Sequence, residues 1–407
     1  MEDAIQVMIV DDSALMRNLI GRIVDGEPDL SVLVKAMNGK FALQRLERNE
    51  PDVIILDLEM PEMNGIQFLR ERKSRGIEVP VIILSSIATK GARVTMEALN
   101  LGAADFIPKP SGGSARDLPH VAGQLVEMIR SYGGKHRRER GLETPPRPSG
   151  EPATREPPAP EPGGPVQPKT DSTMSRAGGG SAEKTERSQA GAGPRAGGST
   201  TSFRKIEPKA KTTAIELVAI GVSTGGPNAL RHVLPQILPE INVPIVVVQH
   251  MPEGFTQEFA RSLDRVCQLE VKEAADGDLM KAGRVLIAPG NRHLTVERRS
   301  LSGIVRVTNG APVNGHRPSV DVLFESVAQS YANRSLAVIM TGMGRDGARE
   351  IGSVYEAGGY TIGQDQGSSI VYGMPKVAFD AGYIMQQVGL TDMAETITRI
   401  VEEHRDR

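Results

Sequence analysis

Sulfhydryls are almost absent: Cys267 is the single cysteine of the 407-residue chain, so no disulfide can form within it. A lone thiol fits a reducing compartment better than a cross-linked secreted scaffold. Long apolar runs are missing too. None approaches the ~18 residues needed to cross a bilayer, so direct membrane insertion is not expected. The N-terminus passes straight into "IQVMIVDDS", without the charged, apolar and small-residue regions of a secretory signal. Neither charge is in excess. Lys and Arg number 48 against 50 Asp and Glu, which gives no reason to expect nucleic acid or an anionic surface as partner. A soluble cytoplasmic protein is the expectation.

A chain of this length is too long for one ordinary domain. The first stretch alternates short apolar runs, "VMIV", "DVIILDL", "VPVIILSS" and "ADFIPKP", with amphipathic segments such as Leu15 to Val24 and Phe41 to Arg48. Runs of that size suit strands buried on both faces, and the alternation predicts an open, doubly wound parallel sheet over 1–132. From 133 to 212 the composition shifts to Pro, Gly, Ser and charge, as in "TPPRPSGEPATREPPAPEPGGP". Such a segment cannot recover its ordering entropy and is expected to be a disordered linker. As a flexible coil of ~75 residues it would span on the order of 45 Å and impose little orientation. Alternation resumes over 213–403, with "IELVAIGVS", "VPIVVVQH", "RVLIAPG", "SLAVIMTG" and "GYTIGQDQ". This predicts a second, mainly parallel α/β domain. "RHLTVERRSLSGIVRVTN" alternates around a Ser-Gly turn and predicts one antiparallel hairpin.

Two sets of chemically active residues fall at expected strand ends. Asp11 and Asp12 follow the first strand, Asp57 ends "DVIILD", Ser85 ends "VPVIILS" and Lys109 ends "FIPK". Carboxyl ends of parallel strands converge on one edge, where ligands bind. Three carboxylates there repel one another unless a divalent cation joins them, and an oxygen-rich set suits Mg²⁺ with a phosphoryl group. Any single Asp of this kind is more often a helix cap. Five such groups at four strand ends argue otherwise.

The second set begins at Ser223 in "AIGVSTGGPNAL", a strand-to-helix turn with the Gly-x-Ser-x-Gly spacing of a nucleophile elbow. On the turn alone, phosphate binding by backbone N–H groups is the better reading. His250, ending "VPIVVVQH", supplies a base at the same edge, whereas His232 lies in a helix and His293 and His316 in polar turns. Asp346, in "TGMGRDGARE", is the preferred carboxylate to orient that base, ahead of Asp321 and Asp365. The turn from Gly342 to Gly344 offers the Met343 N–H to an oxyanion.

The strings "VDDS", "LDLEMPEMNG" and "PKP" resemble the receiver domains of two-component response regulators. The strings "GVSTGGP", "VVVQHMPEGFTQEFA", "HRPSVDVLF", "TGMGRDGA" and "VYGMPKVA" resemble the catalytic domain of chemotaxis protein-glutamate methylesterases, the CheB family. The resemblance implies a flavodoxin-like receiver followed by a methylesterase domain. Asp57 would be the phosphoacceptor, and Asp11, Asp12, Asp57 and the Glu59 carbonyl would surround Mg²⁺. Ser85 and Lys109 would be the signalling hydroxyl and lysine, with Ser86 adjacent to the first. Phe106 would be the aromatic switch, or else an ordinary core aromatic. The hydrolase half needs no cofactor. Its substrates would be γ-glutamyl methyl esters of chemoreceptors, with glutamine deamidation by the same chemistry, and a histidine kinase would be the phosphodonor. Against this stand a nucleotide-binding output domain, which leaves His250 and Asp346 without a role, and a nucleic-acid-binding one, which the neutral charge disfavours.

Overall fold

The computed structural model describes residues 4–86, 89–109, 117–146, 210–300 and 302–405. Most of the expected linker at 133–212 lies outside these. The N-terminal sheet contains β1 (Ile5–Val10), β2 (Leu30–Ala36), β3 (Val53–Asp57), β4 (Val81–Ser85) and β5 (Asp105–Pro108). Their order is β2-β1-β3-β4-β5, and every pairing is parallel. Helices α1 (Ala14–Asp25), α2 (Gly39–Leu46), α3 (Gly65–Ser74), α4 (Thr89–Asn100) and α5 (Asp117–Glu139) connect and flank the strands. Local chemistry starts several of them. Ser13 and Asn38 each accept a backbone N–H at an N-cap, and Asn64 with Gln67 forms a reciprocal capping box.

Helix α5 continues beyond the boundary expected at 132. Arg137, on its extension, pairs with buried Asp52 at 3.0 Å and donates to Glu143 O, which holds the added turns against the sheet. Strand β2 is expected by count, with Asp57 ending the third strand, but its residues do not stand out, because "LSVLVKA" interrupts its apolar pattern at the sheet edge.

The second sheet runs β15-β14-β13-β6-β7-β10-β8, all parallel. Its strands are β6 (Leu217–Val222), β7 (Ile245–Gln249), β8 (Glu270–Glu273), β10 (Arg284–Ile287), β13 (Ser335–Ile339), β14 (Tyr360–Gln364) and β15 (Gln386–Val388). Helices α6 (Gly226–Val233), α7 (Phe255–Asp264), α8 (Val320–Ser330), α9 (Glu350–Glu356), α10 (Met374–Asp380) and α11 (Met393–Glu403) cover it. Alternate residues of β6 serve opposite faces. Val218, Ile220 and Val222 join one buried cluster, while Leu217 and Ala219 join the other.

The expected hairpin is present as β11 (His293–Glu297) and β12 (Gly303–Thr308), with β9 (Leu279–Met280) adding a third antiparallel strand. Among the described residues no helix is long and apolar enough to cross a membrane.

Chain order explains where ligands would go. From β6 the second sheet grows to β7 on one side and resumes at β13 on the other. A crevice at the carboxyl ends of these three central strands is the expected binding position.

Candidate functional sites

The N-terminal carboxylates meet as expected. One carboxylate oxygen from each of Asp11, Asp12 and Asp57 lies within 4.8 Å of the others. Lys109 Nζ approaches Asp57 Oδ2 at 2.7 Å and Asp11 Oδ2 at 3.3 Å. Burial raises the Asp11 carboxyl above its ordinary range against the pull of Lys109. Its Oδ2 is buried without a well-formed hydrogen bond, with the Lys109 ammonium 3.3 Å away and the Asp57 carboxylate opposing it. A hard cation would satisfy that oxygen, so the donor set fits a divalent metal. Glu59 follows on the same loop, its backbone N–H reaching Asp57 Oδ1 at 3.3 Å. Ser85 is buried and its Oγ is 2.5 Å from Thr95 Oγ1, which itself donates to Gly91 O. The hydroxyl is thus tied to α4.

At the crevice of the second sheet, Ser223 follows β6 on a turn that only small residues permit. A Cβ on Gly221 would fall 2.1 Å from Val320 Cγ1, and Gly225 adopts φ +79 as it opens α6. His250 follows β7, its N–H bound to Val222 O. His250 Nδ1 lies 3.0 Å from Ser223 Oγ, and Nε2 lies 2.7 Å from Asp346 Oδ2. The imidazole is therefore turned the other way from the chymotrypsin arrangement, where Nε2 faces the serine.

Asp346 caps a helix, but not the one that follows it. It accepts from Ser319 Oγ, Val320 N and Asp321 N at the start of α8, and from Asn314 Nδ2. Burial pushes its carboxyl up, yet His250, Asn314 and Ser319 outweigh this and hold it well below the usual range. It stays an anion facing the imidazole. Asp321 is tied instead to Asn314 and the Glu350 N–H, and Asp365 to Ser368. Among the described residues, neither rival carboxylate bonds to His250.

The glycine turn after β13 passes beside the serine. A Cβ on Gly342 would fall 2.8 Å from Ser223 Cβ. Gly342 itself is fixed by Val371 O and by the Gly373 and Met374 N–H groups. The Met343 N–H has no protein acceptor among the described residues.

Three contributors had no clear signal in the sequence. Gln249 Nε2 donates to both Ser223 O and His250 O, tethering nucleophile and base to each other's main chain. Asn314 bridges Asp346 and Asp321. His316 stacks on the His250 ring. His293, expected in a polar turn, is instead buried at the head of β11 and bonded to Ala311 O.

The first sheet borders the second crevice. β5 of the first sheet abuts the turn that carries Ser223. Asp105 Oδ2 accepts the Gly225 N–H at 2.7 Å, and Asn228 Nδ2 donates to Ala104 O at 2.7 Å. Phe106 is buried and lies flat against Phe255 of α7. Burial lifts the Asp105 carboxyl to about 6 against the opposing Gly225, Phe106 and Tyr132 bonds. The cleft at Ser223 and His250, about 260 Å³, has Asp105, Phe106 and Met128 in its wall.

The sequence matches known proteins over the same two regions. Residues 7–119 match the response regulator receiver domain family, and residues 218–397 match CheB methylesterase. A protein-glutamate methylesterase/protein-glutamine glutaminase of Treponema denticola is 52% identical over 403 residues, covering 99% of this chain and 100% of that one. The Treponema pallidum protein of the same name is 51% identical over 407 residues, covering 97% and 96%. Among solved structures, the Thermotoga maritima CheB methylesterase catalytic domain is 38% identical, covers 46% of this chain and all of that one, and has a TM-score of 0.45. By length, order of regions and identity, the chain belongs to the protein-glutamate methylesterase/protein-glutamine glutaminase family, hydrolases with a response-regulator receiver and a CheB methylesterase domain.

Proposed function

We propose that the chain hydrolyses γ-glutamyl methyl esters of chemoreceptors, releasing methanol, and that phosphorylation of its receiver controls the rate. The observation that carries the hydrolase reading is the unbroken contact series from Ser223 Oγ through both nitrogens of His250 to Asp346. In this reading Ser223 Oγ attacks the ester carbonyl while His250 Nδ1 takes its proton. Asp346 holds the Nε2–H and stabilises the imidazolium. The Met343 N–H is our candidate donor to the oxyanion, a contact of a kind worth ~3 kcal/mol. Collapse of the tetrahedral intermediate expels methoxide, which leaves as methanol with the proton from Nδ1. Water then attacks the acyl-serine, with the same nitrogen as base, and glutamate and Ser223 are released. A glutamine amide would follow the same course with ammonia leaving, as the relatives' name suggests.

The receiver, 1–132 with the continuation of α5, would be the switch, 213–403 the catalytic domain, and 133–212 a disordered linker. Asp57 is the proposed phosphoacceptor, with a histidine kinase upstream. Asp11, Asp12, Asp57 and the Glu59 carbonyl would hold Mg²⁺, which neutralises the incoming phosphoryl charge. Lys109 and Ser85 would then turn from their present partners toward the phosphoryl oxygens. Movement at the β4 and β5 ends would reach Asp105, which holds the Ser223 turn through Gly225, and Phe106, which packs on Phe255 of α7. Shifting a closed-to-open ratio from 99:1 to 1:99 requires ~5.5 kcal/mol of differential stabilisation. A cytoplasmic location follows from such partners.

The test is methanol release from methylated chemoreceptor by the full chain, with and without a small phosphodonor. Release that needs Ser223 and rises with phosphodonor supports both halves of the reading. No release under either condition overturns it.

A further inference from the structure

One ring in the crevice has no part in the chemistry described so far. His316 lies between β12 and α8, in a tight turn where Val313 and His316 exchange backbone hydrogen bonds of 3.0 and 2.9 Å. Its imidazole covers that of His250 face to face, with centroids 3.8 Å apart and planes within 11°. It also lines the cleft that exposes Ser223.

We propose that His316 is a positioning residue for the hydrolysis: stacked flat on His250, it holds the base to its two partners while neutral, and opposes the reaction when protonated. The inference rests on reading Ser223 and His250 as nucleophile and base. The bonds from Nδ1 to Ser223 and from Nε2 to Asp346 lie near the ring plane and resist rotation within it. They resist tipping out of the plane poorly. A second ring against the face supplies that restraint.

Charge gives the stack its second role. Taking the serine proton turns His250 into an imidazolium. A neutral ring in contact accepts that cation against its π-face. A protonated His316 would place a like charge at van der Waals distance and disfavour the same step. Turnover therefore needs His316 uncharged at the moment the serine proton arrives on His250. Charged groups near the pair include Asp346 and Asp321, reached through Asn314, and Asp105 across the cleft. Arg317 is adjacent in sequence, but its guanidinium is turned to Asn291 Oδ1 and Gly310 O. All four remain unchanged in the variants below.

The test is the pH profile of kcat/KM for p-nitrophenyl acetate, using the full chain with acetyl phosphate and Mg²⁺. Wild type is compared with His316→Phe, His316→Ala and His316→Arg, and thermal unfolding checks that each is folded. Phe keeps the stack without the charge. Its alkaline plateau should lie within about threefold of wild type, with the acid limb displaced to lower pH. Ala loses the restraint and should drop the plateau about tenfold. Arg fixes a charge in place and should lose at least about a hundredfold across the range. Should the Arg variant fail to fold, the displaced acid limb of His316→Phe decides alone. An acid limb superimposable on wild type in the Phe variant overturns the proposal and leaves the Ser223–His250 reading intact. A wild type that neither cleaves the ester nor is labelled at Ser223 by a fluorophosphonate overturns both.

Discussion

Phe106 and Phe255 stack with ring centroids 5.0 Å apart and planes within 6°, so the proposed receiver switch residue packs directly on a helix of the hydrolase domain. Such a pair contributes ~1 kcal/mol beyond the area it buries. Phe106→Ala should therefore raise the rate of the unphosphorylated chain by roughly fivefold or more, with little change in the fully phosphorylated rate. Methanol release with and without acetyl phosphate measures both. A lower basal rate would mean that the stack supports catalysis instead of restraining it.

Asp105 makes the closed contact sensitive to pH. Its carboxyl titrates at about 6 where it meets Gly225, against 3.8 for the ordinary group. A raised value means that the closed form holds its proton more tightly than the open one. The contribution is complete below the ordinary value and is lost as pH rises through about 6. Opening should increase between pH 4 and 6 and then level off. Hydrogen exchange at the Gly225 amide, corrected for its intrinsic pH dependence, reads this directly. Asp105→Asn keeps an acceptor without the titration and should give a flat profile.

Ser223→Ala and Asp346→Asn should both remove activity, the second by about 10⁴-fold, but they should separate in stability. Ser223 has one recorded side-chain partner, His250. Asp346 anchors the start of α8 as well as His250. The depressed titration of Asp346 means that its contribution is present above the ordinary carboxylate range and lost as pH falls toward the depressed value. The unfolding temperature of Asp346→Asn should lie clearly below wild type at pH 7, and the gap should close in acid. Ser223→Ala should melt near wild type throughout.

Asp57→Asn should abolish the response to phosphodonor while leaving hydrolysis by the unphosphorylated chain in place. Chelation of divalent ions should do the same to wild type, because the proposed metal serves the receiver alone. Loss of basal hydrolysis on chelation would contradict that division.

Much of this arrangement was legible beforehand because parallel strands advertise themselves. Apolar runs buried on both faces marked β1, β3 to β7, β10, β13 and β14, and reactive residues just past their ends had to share an edge. That logic picked out Ser223, His250 and Asp346 as neighbours, and their side chains lie in contact. Edge strands lack the continuous apolar signal: β2 was expected only by count, and β8 and β15 were missed. So was everything that depends on which way a side chain turns. Gln249 reads as one more residue of a buried strand, Asn314 as a turn residue, and His316 as a polar loop histidine. Their roles arise only when β7, the turn after β12 and the loop after β13 meet in space. The inverted imidazole belongs to the same class, since residue type and spacing carry no information about ring orientation.

The hydrogen bond from Gly225 to Asp105 couples the inheritance of two activities. In the proposed reading, restraint and reaction would be carried by one turn of a few residues, so neither could drift independently. A change at Thr224 or Gly225 that eased release of the receiver would also move the serine two or fewer positions away. A domain borrowed from another response regulator would have to bring its own acid at the matching end of its last strand, or the hydrolase would run without a brake.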